Sequence, residues 1–366
     1  MKRALRIGLA AAALLAGGAG LAQELSEQQA AGGQRQDDLL PQITPAADRH
    51  FAAAYKAGEG LFPGPLQLCN SARPAGLKWD LSKMIDRAGP TNAELMRMGK
   101  TRAEFLAGGG IERRAPAPTR IFDNVYYVGI EDVTAWAITT SEGIILIDSL
   151  NNSREWIDRI EPGMHKVGLD PARIRYVIVT HGHGDHFGGA AYIAKKYGAR
   201  IMMSAVDWEI APSMVDKPFF DAPPPRDLSI TDGQVFRLGN QSVRMFITPG
   251  HTRGTISLIF PVTDRGRRHV ALLWGGTGFN FPHTADRFAI YSGSARRMMG
   301  LAKAGRADVV LSPHSDFDGA IGRIAKLGQR GPRGPNPFVV GAAGVARYLT
   351  VLGECAQAYS AQMRSR

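Results

Sequence analysis

Cysteine is scarce in this sequence, with only Cys69 and Cys355 among 366 residues. Neither has the neighbours of a catalytic nucleophile, and no CxxC pair exists, so a thiol enzyme or a cysteine-based metal site is excluded. In an oxidising compartment the two can form one disulfide that joins the two ends of the chain. The alternative is two unpaired, buried thiols, and both readings stay open at this point.

Beyond the N-terminus, the sequence contains no apolar run long enough to span a bilayer. At the N-terminus, Lys2, Arg3 and Arg6 precede an apolar run from Ile7 to Leu21, and small residues lead to a cleavage point after Ala22. The run is short and rich in alanine and glycine, which favours a signal peptide over a membrane anchor. We therefore expect an exported mature protein, periplasmic or secreted, with no stable membrane anchor.

Acidic residues are fewer than basic ones, and the formal net charge is +11. A basic surface can attract anionic small molecules or nucleic acid. Export argues against nucleic acid, and a solvated basic surface is the simplest interpretation. We expect a small-molecule substrate, which can be anionic, and no nucleic-acid partner; the sequence indicates no oligomeric state.

The chain changes character at APAP, residues Ala115 to Pro118. Residues 23–115 predict a small, irregular, mostly helical extension, interrupted by a Gly/Pro-rich piece. Residues 116–366 predict a catalytic domain in which strands and helices interleave, with sheets inside and helices outside, an α/β class. The predicted strands are NVYYVG, TAWAITT, GIILIDS, IRYVIVTH, RIMMSA, SVRMFITPGH, TISLIFPV, HVALLWGG and ADVVLSPH. We also predict helices from about His186 to Gly198, from Ala295 to Ala304 and from Val345 to the C-terminus.

The stretch THGHGDHFGGA, Thr180 to Ala190, places three histidines and an aspartate within six residues. It follows a buried strand, at the strand end where open α/β sheets bind ligands. His181 and His183 can point into one pocket, whereas Asp185 and His186 can point to a second position beside it. The intervening glycines allow the tight backbone that this needs.

Two later strands also end in a histidine, ITPGHTRG at His251 and LSPHSD at His314. All three loops can meet at one edge of the structure. The predicted ligand sets are His181, His183 and His251 for one metal, and Asp185, His186 and His314 for its neighbour. Such nitrogen-rich ligation suits two zinc ions per chain, each with an open position, although iron or manganese can bind the same groups.

The alternative is that these are ordinary core or surface histidines. Five of the nine histidines follow strands, and three of these share one glycine-spaced turn, which argues against it. His283 lies in GFNFPHTADR, after a strand that should end near the metals. It is a candidate to line the pocket, with a satisfied surface histidine as the alternative.

The HGHGDH motif with His251 and His314 downstream resembles the metallo-β-lactamase superfamily over about residues 116–366. The resemblance implies a four-layer αβ/βα sandwich with a two-metal site along one edge. It also implies that Asp148, at the end of GIILID, supports the metal ligands without binding the metal itself.

Many superfamily members, including glyoxalase-like thioesterases and lactonases, carry an aspartate that bridges both metals. Gly275 and Gly276 stand at that position here, which argues against those branches. The remaining ligand set is similar to the third subclass of metallo-β-lactamases. That subclass usually has serines that hold the substrate carboxylate, whereas GGTGFN offers only Thr277 and Asn280 as substrate-binding candidates.

The predicted activity is hydrolysis by a zinc-activated hydroxide, most simply opening the amide of a β-lactam ring, with Asp185 orienting the nucleophile. The alternative is the same chemistry on another cyclic amide, ester or lactone. A diiron redox protein would require a further carboxylate between the metals and usually a flavin domain. A nuclease of this fold would require an RNA-binding arm. The sequence shows none of these three features.

The segment Val206 to Arg226 predicts a long loop near the mouth of the site. Its aromatic residues Trp208, Phe219 and Phe220 are candidates to contact an apolar part of the substrate. The alternative, which we favour, is that they pack on the protein itself.

Overall fold

The computed structural model describes residues 44–72, 92–101, 104, 116–214 and 219–365. The predicted signal peptide lies outside the described residues. Within them, no helix combines the length and apolar character that a membrane crossing requires.

Two β-sheets form the centre of the described structure. Their strands are β1 Thr119–Phe122, β2 Val125–Tyr127, β3 Trp136–Thr140, β4 Gly143–Ile147, β5 Ile174–Ile178, β6 Arg200–Ser204, β7 Leu228–Ile230, β8 Val235–Leu238, β9 Gln241–Ile247, β10 Ile256–Asp264, β11 Arg267–Leu273 and β12 Val309–Leu311. The first sheet has the order β1-β2-β3-β4-β5-β6-β7 and the second β12-β11-β10-β9-β8. The first is antiparallel up to β4 and parallel from β4 to β7. The second is antiparallel except for the parallel pair β11 and β12.

Helices surround these sheets. They are α1 Pro45–Gly58, α2 Asn92–Arg97, α3 Ser153–Glu155, α4 Glu161–Lys166, α5 Gly184–Phe187, α6 Ala190–Tyr197, α7 Ala205–Ile210, α8 Ala285–Ala304, α9 Ser315–Asp318, α10 Ala320–Gln329 and α11 Gly341–Arg364. A π-helical turn, Trp156–Ile160, joins α3 to α4. Shorter 3₁₀ segments span Pro65–Ala72, Pro171–Arg173 and Ala211–Met214.

Alternating side chains bind the layers together, because successive residues of a strand point to opposite faces of the sheet. In β4, Ile145 packs between the two sheets, whereas Leu146 packs toward the outer helices. In β11, Leu273 packs between the sheets and Leu272 toward α8 and α11. The order is therefore helices, sheet, sheet, helices, and the predicted four-layer αβ/βα sandwich is confirmed.

Helix α1 of the N-terminal extension packs on the C-terminal helix of this sandwich. Helix α1 belongs to the same hydrophobic core as α11, where the ring of Phe51 meets Tyr359 edge to face at 5.5 Å between centroids. Cys69 and Cys355 form a disulfide. The structure thus selects the paired alternative and ties the extension covalently to α11.

The three helices predicted in the catalytic domain differ from the structure in their bounds, and the C-terminal one begins at Gly341, four residues before Val345. Helix α8 begins at Ala285, ten residues before the predicted start, and Thr284 caps it. Buried serines on its inner face, among them Ser292, obscure the apolar periodicity. The helix predicted from His186 to Gly198 is two helices, α5 and α6, because the chain between them packs its backbone against neighbours. A β-carbon on Gly188 would meet the Asn151 carbonyl oxygen at 1.8 Å.

The sequence pattern does not predict strands β1, β7 and β8, which the structure contains. Strand β7 has three residues at a sheet edge, and β8 is at most half-buried along its length. Short edge strands show little contrast between an apolar and a polar face, which explains why periodicity does not reveal them.

Candidate metal centre

The ends of four strands meet at one edge of the sandwich. The HGHGDH turn follows β5, Asp148 directly follows β4, His251 follows β9 and His314 follows β12. Parallel pairing of β4 with β5 puts Asp148 beside the HGHGDH turn. An isolated bridge between Val133 and His314 then joins the β12 loop of the second sheet to the first sheet. The predicted site residues therefore come together from both sheets.

The first group contains His181, His183 and His251. The His251 Nε2 atom lies 3.0 Å from His181 Nε2 and 3.0 Å from His183 Nδ1. Burial lowers the pKa of His181 and of His251 well below the usual value, and that of His183 to about 4. All three imidazoles are thus neutral at pH 7, and their lone pairs converge on one point, as metal ligation requires.

The second group contains Asp185, His186 and His314. Asp185 Oδ2 lies 3.4 Å from His186 Nε2 and 3.6 Å from His314 Nε2. Potential ligand atoms of each group lie within 4.8 Å of one another. The two groups are adjacent, since the rings of His181 and His186 are 4.0 Å apart between centroids.

Hydrogen bonds to the rear nitrogens orient four of the five histidines. The acceptors are the Gly275 carbonyl for His181 Nδ1 at 2.9 Å, the Gly278 carbonyl for His251 Nδ1 at 2.6 Å, the Asp148 carboxylate for His186 Nδ1 at 2.9 Å and the Asp132 carbonyl for His314 Nδ1 at 3.1 Å. Each rear nitrogen donates its proton, which leaves the front nitrogen facing the position of a metal ion. Metal-binding histidines are held in this way, and the buried His186 Nε2 has no hydrogen-bond partner. The donor set therefore fits two metal ions.

Asp148 takes the supporting position that the resemblance implied. Its carboxylate accepts hydrogen bonds from His186 Nδ1, from the backbone N–H of Thr180 at 2.7 Å and from the Thr180 hydroxyl at 2.9 Å. Asp148 itself has φ 59°, a left-handed conformation that is rare outside glycine. The strain is tolerated because it turns the carboxylate beneath the HGHGDH turn.

Two carboxylates give the second group a different electrostatic character from the first. Burial alone would lower the pKa of His186, but Asp185 and Asp148 raise it to about 10. Burial would raise the pKa of Asp185, yet His186 and the neighbouring histidines hold it well below its usual value. A cation is therefore favoured at this group, and a divalent metal would replace the His186 proton.

Gly275 and Gly276 leave no room for side chains beside the first group. A β-carbon on Gly275 would meet the Ile256 carbonyl oxygen at 1.8 Å, and one on Gly276 would meet the His251 side chain at 2.8 Å. An aspartate that bridges both metals cannot be accommodated at either position without moving these neighbours.

The three predicted substrate-binding residues lie on or after this segment. Thr277 is buried, and Asn280 is half-buried beside Gly278. His283 Nε2 donates to the Phe279 carbonyl at 3.0 Å, and its ring packs near Phe288. His283 is thus a partly satisfied member of an aromatic cluster, and its role toward substrate stays a prediction.

The loop predicted from Val206 to Arg226 is wrong in its first part, which is helical from Ala205 to Met214. Trp208 is buried and donates to the Leu228 carbonyl at 2.9 Å, and Phe219 is buried as well. Phe220 is half-buried, and its ring fills the space that a side chain at position 184 would need, since a β-carbon on Gly184 would meet Phe220 Cγ at 2.4 Å. Packing on the protein is therefore the correct alternative for Trp208 and Phe219, whereas Phe220 borders the HGHGDH turn.

Asp207, which sequence reasoning missed, is fully buried beneath two of the metal-site loops. Its carboxylate accepts hydrogen bonds from the Gly182 N–H at 2.9 Å, the Thr252 hydroxyl at 2.8 Å and the Gly254 N–H at 3.1 Å. The only local signal is the Ser204-x-x-Asp207 pattern of a helix start, in which the Ser204 hydroxyl accepts from the Asp207 N–H.

Comparison with known proteins agrees with this architecture. The model of the metallo-beta-lactamase superfamily matches residues 128–264. BJP-1, a subclass B3 metallo-β-lactamase of Bradyrhizobium japonicum, superposes with a TM-score of 0.55 at 26% identity, covering 66% of this chain and 92% of that one. FEZ-1, a metallo-β-lactamase from Legionella gormanii, shares the fold with a TM-score of 0.61 at 22% identity over 70% of this chain and 99% of that one.

Curated relatives match over shorter stretches. The hydroxyacylglutathione hydrolase of Acidiphilium cryptum is 36% identical over 88 residues, 24% of this chain. The chain spans only 31% of the length of that relative. The resemblance to the superfamily, and within it to the third subclass, is confirmed by the family model and the structural neighbours.

Proposed function

Because this chain carries a metallo-β-lactamase superfamily domain, we propose that it is an exported dinuclear zinc hydrolase that opens the amide of β-lactam rings. The observation that carries the proposal is the pair of adjacent ligand groups. The first consists of three neutral histidines. In the second, the carboxylates of Asp185 and Asp148 raise the pKa of His186 and so favour a bound cation. The similarity to BJP-1 supports lactam as the substrate class.

Zinc held by these groups would lower the pKa of bound water to about 7 and polarise a carbonyl group, which would supply a nucleophile at neutral pH. His181, His183 and His251 would hold one ion, whose charge would polarise the scissile carbonyl. Asp185, His186 and His314 would hold the other, whose charge would stabilise the leaving nitrogen and attract a substrate carboxylate.

Asp185 has a further role in this reaction. It stays ionised because His186 and other nearby histidines lower its pKa, and 20% of its side-chain surface is exposed. It therefore accepts a hydrogen bond from the attacking water and fixes its direction. No nucleophilic side chain is required, and both cysteines are held in a disulfide.

The alternative substrates are other cyclic amides, esters, lactones and the thioesters that the curated relatives' name suggests. The matched stretch in the hydroxyacylglutathione hydrolases favours a thioester. Against it, members of that branch bridge their metals with an aspartate, for which Gly275 and Gly276 leave no space. We therefore place the lactam first.

The test is hydrolysis of a substrate panel by the purified mature protein, with zinc content measured on the same sample. The panel contains a penicillin, a cephalosporin, a carbapenem, a lactone and a hydroxyacyl thioester. Chelator-sensitive lactam opening with about two zinc ions per chain would support the proposal. Turnover of only the thioester or the lactone would show that β-lactams are not the substrate class. Activity that survives full metal removal would overturn the mechanism.

Export is the second part of the proposal. The first residues carry the charge, apolar run and cleavage pattern of a secretory signal. Mass spectrometry of the protein from cell fractions tests it: a periplasmic or secreted chain that begins near Gln23 is expected, and an intact N-terminus in the cytoplasm would contradict it.

A further inference from the structure

The buried Asp207 links the two loops that supply the three-histidine group, although it belongs to neither. The Gly182 N–H that it accepts lies between His181 and His183, and the Thr252 hydroxyl follows His251 directly. One carboxylate thus fixes the spacing between the ligands from β5 and the ligand from β9.

The backbone around Asp207 is shaped to let this carboxylate reach both loops. A β-carbon on Gly254 would come within 2.4 Å of Asp207 Oδ1, and one on Gly182 within 2.9 Å of the Asp207 carbonyl oxygen. Both glycines therefore approach the aspartate more closely than any other residue type could. Such close approach is a usual reason for glycine in a binding loop.

The three donors need a carboxylate at this position. Asp207 Oδ2 accepts from Gly182 and Thr252, while Oδ1 accepts from Gly254. An asparagine would place an NH₂ group against at least one N–H donor. A buried donor would then lose its acceptor, which is costly away from water.

From these contacts we propose that Asp207 is a positioning residue for the three-histidine metal group. The inference rests on the proposed two-metal function. We expect the effect to fall mainly on this group, because the Gly182 and Thr252 donors lie directly beside His181, His183 and His251. The His186 ring of the second group is instead held by the Asp148 carboxylate.

The experiment measures zinc affinity in two single-group backgrounds by competition with a chromophoric chelator. His186→Ala leaves the three-histidine group alone, and His251→Ala leaves the second group alone. Adding Asp207→Asn should lower zinc affinity about 10- to 100-fold in the His186→Ala background, the usual effect of losing a supporting partner. In the His251→Ala background the same substitution should change the affinity less than about 3-fold.

The matched control is Asp318→Asn. Asp318 is also a buried carboxylate, and it accepts hydrogen bonds from the backbone N–H groups of Ser312 and Ala320, both at 2.9 Å, on either side of His314 along the chain. In the His186→Ala background it should leave zinc affinity unchanged. If Asp207→Asn does not fold, Thr252→Val replaces it, removes one of the three donors with little change in shape, and should lower affinity in the same background by a smaller factor.

The outcomes separate the possibilities. Equal losses in both backgrounds would mean a general structural role, and retained affinity in the His186→Ala background would mean no role; either result overturns the inference. Failure of both backgrounds to bind zinc before position 207 is changed would overturn the proposed function and this inference with it. Zinc bound as expected without lactam turnover would instead affect only the substrate assignment.

Discussion

Gly276 lies so close to His251 that a β-carbon at position 276 would come within 2.8 Å of the histidine Cβ and Cδ2 atoms. The glycine and the histidine follow different strands of the second sheet, β11 and β9, whose common neighbour is β10. The imidazole is therefore held from two sides, by Gly276 at its side and by the Gly278 carbonyl at Nδ1. Its position depends on the absence of a side chain at 276.

Gly276→Ala is expected to lower zinc affinity at the three-histidine group about 10-fold, because the added methyl group must displace the His251 ring. Zinc competition titration measures this. Gly300→Ala is the control, since a β-carbon there meets nothing within 4 Å. It should keep zinc binding and stabilise α8 by roughly 1 kcal/mol. Unchanged zinc affinity in Gly276→Ala would show that the ring can move freely.

Asp148→Asn is expected to weaken binding of the second zinc ion about 10- to 100-fold. The variant loses the charge that favours a cation at His186 and disturbs the hydrogen bonds to Thr180. Zinc stoichiometry after dialysis against a weak chelator measures the effect. Asp227→Asn, which breaks a more exposed ion pair with Arg200, should retain two zinc ions. Loss of zinc from this control as well would show that the dialysis removes zinc regardless of the substitution, and so that Asp148 has no specific effect.

His314→Ala is expected to leave one zinc ion per chain and to reduce hydrolysis by several orders of magnitude, because the second group would lose one of its three ligands. Elemental analysis and steady-state kinetics on the same sample test this. His269→Ala is the matched control, since His269 bonds to Asp308 near the start of β11, whereas the metal-site segment follows the end of that strand. Two retained zinc ions in His314→Ala would remove that residue from the ligand set.

Loss of the Cys69–Cys355 disulfide is expected to destabilise the protein by about 4 kcal/mol, because the bond closes a loop of 286 residues in the unfolded chain. The double variant Cys69→Ser, Cys355→Ser should have a lower Tm than the parent. Reductant should lower the parent's Tm toward that of the variant and leave the variant's unchanged. Identical Tm values for parent and variant would indicate that α1 stays docked without the bond.

Asp318 should make stability depend on pH in a defined direction. Burial raises its pKa to about 7, although Arg323 opposes the rise, whereas an unfolded aspartate has a pKa of about 3.9. Between these values the folded protein retains a proton that the unfolded chain has released. The stabilising contribution is thus complete below about pH 4 and is lost as the pH rises through about 7.

Metal-free parent and Asp318→Asn are compared for this purpose by Tm at several pH values from 4 to 8.5. The Tm advantage of the parent should shrink as the pH rises to about 7 and then level off. A difference that does not vary with pH would show that Asp318 ionises normally.

The candidate ligands were predictable from the sequence because each one follows an apolar strand directly. Strand ends are local features, and the HGHGDH turn contains four of the six residues within one loop. Asp148 could be assigned from the same strand-end position and the resemblance. The start of the helix at Ala285 and the helix that begins at Ala205 were harder to predict from the sequence. Buried polar residues weaken the apolar periodicity on which such predictions depend.

The sequence by itself thus determined the two-sheet class, the ligand candidates and the lack of a bridging acid, because these depend on residue type and on position along single strands. Only the tertiary structure decided which cysteine alternative holds, which carbonyls orient the histidines and that Asp207 joins two loops. Those contacts link residues far apart along the chain, such as Asp207 with Thr252 or His181 with Gly275. Their partners are fixed by how the two sheets pack, and no local pattern encodes that.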